Sequence, residues 1–163
     1  MKNVVVYYSL TGNTEVVAKE IHQVVGGDLI KIEEVKKRKP GSMMEPAFSA
    51  LIGIKSRLKK MDFTLAGCEN VFLGTQVWAA RSTPAINTFL SKADLKNKKV
   101  YLFITKADEK VPQAIIDAIA KKVEKRGGKV VDSFSLTTKM NNLITPDAFK
   151  GQLNDWIEKL GVK

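Results

Sequence analysis

The stretch YYSLTGNTEVVAKEI, Tyr7 to Ile21, leaves a strongly apolar run and enters a pattern with apolar residues every three or four positions. The first half reads as the end of a β-strand and the second as an amphipathic helix, so Ser9-Leu10-Thr11-Gly12-Asn13-Thr14 is a strand-to-helix loop. Helix N-termini present free N–H groups and the positive end of the macrodipole. An anion is favoured at such a place. Hydroxyls of Ser9, Thr11 and Thr14 and the amide of Asn13 can add hydrogen bonds, while Gly12 permits a turn that a Cβ would resist. The loop has neither the lysine of GxxxxGK[ST] nor the spacing of GxGxxG, which sets aside nucleoside-triphosphate and dinucleotide fingerprints. Neutral donors suit a monoester phosphate buried beneath a helix end. Taken singly, Thr11, Asn13 or Thr14 is equally an ordinary helix cap.

Working outward, NVVVYYS, DLIKIEEV, NVFLGT, KVYLFIT and KVVDSFSLT are short segments rich in Val, Ile, Phe and Tyr, the pattern of strands. The first, third and fourth are nearly continuous in apolar residues, as expected for central parallel strands covered on both faces. Helical patterns separate them. Val16, Val17, Ile21, Val24 and Val25 share one face before Gly26-Gly27, and Thr83-Pro84 caps and opens a second helix carrying Ile86, Phe89 and Leu90. Another opens at Pro112 with Ile115, Ile116, Ile119 and Val123, and the last is expected from Thr145-Pro146 with Phe149, Leu153, Trp156, Ile157 and Leu160. The long connection from Lys36 to Thr64 is expected to contain a helix from about Pro46, with Met43 and Met44 beside it as core filler. Regular alternation of strand and helix predicts an α/β three-layer sandwich, a parallel sheet with helices on both faces, in a single domain over residues 1–163.

The chain has 163 residues, 44% of them hydrophobic, enough for one core. No signal peptide or membrane span is legible, and the protein is expected in the cytoplasm. One cysteine, Cys68, and one histidine, His22, make neither a disulfide nor a metal cluster. Lys+Arg number 27 against 17 Asp+Glu, a net charge of +10 that attracts anions. The runs KKRK, KSRLKK, KNKK and KKVEKR read as solvated faces. None interleaves aromatics with basic residues, so there is no specific nucleic-acid signal. No Ser-His-Asp, Cys-His or paired-carboxylate constellation is legible either, so a cofactor is expected to carry any chemistry.

The loop SLTGNT after a first strand resembles the phosphate-binding loop of the flavodoxin family, [ST]-x-T-G-x-T. A second block, FLGTQVWAARSTPAINTFLSK from Phe72 to Lys92, is similar to that family's second flavin-contacting loop, with Gly74, Thr75, Val77, Trp78, Pro84, Ala85, Phe89 and Leu90 in agreement. The resemblance covers nearly the whole chain. It implies a flavodoxin-like fold with a five-stranded parallel sheet in the order 2-1-3-4-5 and the ligand at the β1/β3 switch point. It also implies non-covalent binding of flavin mononucleotide (FMN), its phosphate at Ser9, Leu10, Thr11, Gly12, Asn13 and Thr14. Its ring would be framed by Thr75, Gln76, Val77, Trp78, Ala79 and Ala80 and by Lys106, Ala107 and Asp108, with Trp78 stacked on it and Lys106 near its anionic edge. Gln76 stands where the family pattern has proline, Ala80-Arg81 where it has glycine, and the loop TKADEK lacks the glycines of many relatives. The function so implied is electron transfer between redox partner proteins or from NAD(P)H, by a monomer or homodimer. A small NAD(P)H-dependent FMN reductase and a flavodoxin-like binding or regulatory module without flavin stay open beside it.

Overall fold

The computed structural model describes residues 2–36, 55–78, 81–110, 113–139 and 142–162. The helix expected from about Pro46, with Met43 and Met44, lies outside them. The strands are β1 (Asn3–Tyr7), β2 (Asp28–Lys31), β3 (Asn70–Trp78), β4 (Arg81–Ser82), β5 (Lys99–Lys106) and β6 (Lys129–Thr137). The helices are α1 (Asn13–Val25), α2 (Pro84–Lys92), α3 (Gln113–Glu124) and α4 (Lys150–Leu160).

Five strands lie parallel in the order β2-β1-β3-β5-β6, the order the resemblance implied once the two-residue β4 is set apart. That extra strand folds back antiparallel on the end of β3, pairing Val77 with Ser82 and Trp78 with Arg81. Side chains alternate across the sheet as the period of two requires. Val4, Val6, Val71, Leu73, Val100 and Leu102 pack with Ile86, Phe89, Ile116 and Ile119 of α2 and α3. Val5, Tyr7, Phe72, Tyr101 and Phe103 pack with Val17 and Ile21 of α1 and Leu153, Trp156 and Ile157 of α4. These are the two helix layers of the sandwich. Full burial of side chains of this size contributes about 1.5–3 kcal/mol each, and Phe72, Phe89, Phe103 and Ile21 are among those fully buried.

Caps follow the sequence in two helices and not in a third. Thr83 Oγ1 accepts from the Ile86 N–H at 3.4 Å, with Pro84 in the first turn. Gly26 closes α1 by donating its N–H to the His22 carbonyl. The last helix, expected from Thr145-Pro146, instead begins at Lys150 after a 3₁₀ turn over Pro146–Ala148. Phe149 has φ −139° and is fully buried, so the chain turns there to seat the ring before the helix proper starts. The strand expected over Asp28 to Val35 ends at Lys31; beyond it, among the described residues, Glu34 forms an isolated bridge to Leu58.

Candidate functional site

β1, β3 and β5 are neighbours and parallel, so the segments at their C-terminal ends gather at one edge, where open α/β sheets bind ligands. Among the described residues a cleft of about 40 Å³ opens there, lined by Leu10 and Thr11 from the first loop, Gln76, Val77 and Trp78 from β3, and Thr105, Lys106 and Ala107 around the end of β5. Thr138, just past β6, completes it. Much of what the sequence singled out therefore meets in space.

The loop before α1 is built around Gly12, whose φ of +97° is left-handed and suits glycine. A Cβ there would also lie 2.6 Å from Leu143 Cδ2. Ser9 Oγ accepts from the Gly12 N–H at 3.1 Å. Thr11 Oγ1 accepts from Gln76 Nε2 at 3.0 Å, while Gln76 Oε1 accepts from the Leu10 N–H at 2.7 Å. Because each hydroxyl is used as an acceptor, its own proton is left to donate elsewhere. No side chain among the described residues caps the N–H groups of Asn13, Thr14 and Glu15, which open α1. Among the described residues none of Thr11, Asn13 and Thr14 therefore acts as an ordinary cap of α1.

Two polar side chains of the loop have other partners. Asn13, fully buried, donates from Nδ2 to the Lys139 carbonyl at 3.1 Å and accepts at Oδ1 from the Ile144 N–H at 2.8 Å, tying α1 to the segment after β6. Thr14 Oγ1 lies 2.7 Å from Thr105 Oγ1 at the end of β5. Glu15, in the first turn, would repel an anion were it not paired with Lys31 at 2.5 Å and Lys19 at 2.9 Å. The Lys31 hydrogen bond foremost, helped by Lys19, holds its carboxyl below the usual range. Beneath the loop, burial and then the charge of Glu15 push the Tyr7 phenol up to about 12, so it stays neutral.

Thr75 is fully buried and donates to the Gln76 carbonyl at 3.0 Å. Trp78 is also buried, its ring edge-on to Tyr8 with centroids 5.8 Å apart. Val77 is partly buried, and Ala79 and Ala80 lie outside the described residues. Lys106 is buried at the end of β5 and donates to the Asp108 carbonyl at 2.6 Å and to Thr137 Oγ1 at 3.0 Å, while Ala107 and Asp108 are exposed. Thr105 and Thr138 at the cleft and Leu143 beside Gly12 are site neighbours that carry no motif of their own in the sequence. Only the topology brings β6 and the segment after it beside the first loop. Among the described residues no cluster of His, Cys, Asp or Glu could hold a metal ion, and no helix is long and apolar enough to cross a membrane.

Comparison with known proteins agrees with this fold. Solved structures of similar fold include a candidate flavoprotein from Bacteroides eggerthii, with a TM-score of 0.77, 21% identity and 99% of each chain covered. A flavoprotein of Lactobacillus acidophilus in complex with FMN aligns with a TM-score of 0.67 at 18% identity, over 94% of this chain and 98% of that one. Oxidised flavodoxin 1 of Bacillus cereus aligns with a TM-score of 0.60 at 19% identity, over 99% and 98%. No curated protein matches the chain. A family model described as flavodoxin matches residues 2–160, nearly the whole sequence, and with it the chain belongs to the flavodoxin family.

Proposed function

We propose that this chain binds FMN non-covalently and passes electrons between redox partner proteins, or from NAD(P)H to an acceptor. The observation that carries the reading is the uncapped start of α1, framed by Gly12 in the left-handed conformation and by hydroxyls with protons left to donate. A phosphate monoester accepts all of these, and the lysine-paired Glu15 no longer opposes it. The residues present thus fit the phosphate end of the cofactor. The cleft beside it, at about 40 Å³, does not enclose a flavin ring, so the ring would be held at its rim, by the segments that carry Gln76 to Trp78 and Lys106 to Ala107.

When bound, FMN supplies reversible uptake and release of one or two electrons. The chain's own residues hold and orient. Ser9 and Thr11 would donate to the phosphate beside the Asn13, Thr14 and Glu15 N–H groups. Gln76 fixes the loop by accepting from Leu10 and donating to Thr11, which aims the Thr11 proton away from β3. Gln76→Ala removes both bonds and is expected to weaken FMN affinity by about tenfold, the scale of one or two lost hydrogen bonds. Fluorescence titration of the flavin checks this, and wild-type affinity in the variant would mean that the bridge plays no part in binding.

The redox role is tested on the protein reconstituted with FMN. It is expected to be reduced by dithionite, or by NAD(P)H with a reductase, and to reoxidise in air with the flavin still bound. A second reading, a flavodoxin-like module without flavin, is favoured by one feature, the small cleft whose walls Gln76 bridges. Failure to retain FMN through the cycle would decide for it.

A further inference from the structure

Three lysines and one arginine from two runs that read as solvated surface, KSRLKK and KKVEKR, converge in space. A hollow of about 310 Å³ between α2 and α3 is lined by Lys55, Lys122, Lys125 and Arg126, with Asn87 and Leu90 from α2, and by no carboxylate among the described residues. It shares no residue with the cleft at the C-terminal ends of the strands.

The polar groups around this hollow are arranged as donors. Asn87 Oδ1 accepts from Lys122 Nζ at 2.5 Å and from Ser82 Oγ at 2.8 Å. Its Nδ2 donates to no group among the described residues. Arg126 is fixed at the end of α2 by donating from Nε to the Ala93 carbonyl and from Nη2 to the Lys92 carbonyl, which leaves Nη1 uncommitted. Like charges collected without a counter-ion repel one another. Burial first, and then the charges of Arg81 and Lys55, hold the Lys122 ammonium below the usual lysine range. An anion in the hollow would relieve that repulsion and take up the spare donors. Buried Leu90 adds an apolar wall.

We propose that the hollow between α2 and α3 is a binding site for a small organic phosphate with two or more negative charges. Its volume is that of a small-molecule pocket, and among the described residues its lining has no aromatic side chain on which nucleic-acid bases could stack. Both points favour a compact ligand over an extended strand. The site stands whether or not the loop at Ser9 to Thr14 holds a flavin.

Pyrophosphate is the probe, titrated into the full chain by calorimetry and by amide chemical shifts. Saturable binding is expected, with the largest shifts at residues 87–91 and 122–126. Lys55→Glu and Lys125→Glu, both at exposed positions, should each weaken it about tenfold, the loss of one charge-assisted contact. Lys159→Glu, at an exposed position of α4, makes the same change in net charge and should leave affinity within about twofold, as expected of a distant screened charge. The proposal is overturned by the absence of saturable binding, by equal weakening in Lys159→Glu, or by shifts confined to residues 9–14.

Discussion

Riboflavin is expected to bind this protein about a hundredfold more weakly than FMN. The two ligands share the ring and differ in the phosphate, so the ratio isolates what the first loop contributes. A monoester dianion at the start of α1 would accept several charge-assisted hydrogen bonds, each about 1.5–3 kcal/mol. Desolvation of the phosphate offsets part of that sum. A net advantage of about 3 kcal/mol corresponds to the hundredfold ratio. Glu15 determines whether the advantage is realised, because an unpaired carboxylate in the first turn would set a like charge beside the phosphate. Its bonds to Lys31 and Lys19 prevent that. Parallel fluorescence titrations with the two flavins give the ratio. Equal affinities would show that the loop does not hold the phosphate.

The second large effect is on stability. Gly74 pairs in register with Tyr7 on β1 and with Phe103 on β5. A Cβ there would fall 2.2 Å from Phe103 Cζ and 2.9 Å from Tyr7 Cβ. Phe103 is fully buried against the α1 and α4 layer and has no open space to swing into. Gly74→Ala is therefore expected to cost about 3 kcal/mol through overpacking, and to lower Tm by about 6–12 °C for a chain of this size. Thermal unfolding followed by circular dichroism measures it. An unchanged Tm would mean that the β1, β3 and β5 row can spread without loss. Gly74 stands two residues before Gln76 on β3, so a shift of the strand there would disturb the Gln76 bridge to the first loop, and the variant should also bind FMN less well when folded.

The fold was legible because its signals are local. Apolar runs at β1, β3 and β5, the Thr83-Pro84 start and the Gly26-Gly27 stop each specify an element by themselves, and their alternation leaves few topologies. The start of α4 was misread because Pro146 suits a 3₁₀ turn as well as an α-helix, and the deciding factor, burial of Phe149, is a tertiary contact. At the site, residue types and their gathering at one sheet edge could be read from the chain, but hydrogen-bond partners could not. That Asn13 braces the segment after β6, that Gln76 bridges β3 to the first loop, and that the Lys106 ammonium is bound to its own loop and to Thr137 all depend on neighbours distant in sequence. The charge runs show the same limit, since Lys55 and Lys122 face one hollow only after α3 has packed beside α2.

The central claim is that FMN seats its phosphate at the start of α1, and amide chemical-shift mapping during an FMN titration of the full chain tests it most directly. The account predicts saturable shifts largest at residues 11–15, with further shifts at residues 75–78 and 105–107 where the ring meets the rim. FMN is itself an organic phosphate, so the second hollow provides the internal contrast. Shifts confined to residues 87–91 and 122–126, or none at all at residues 11–15, would contradict it.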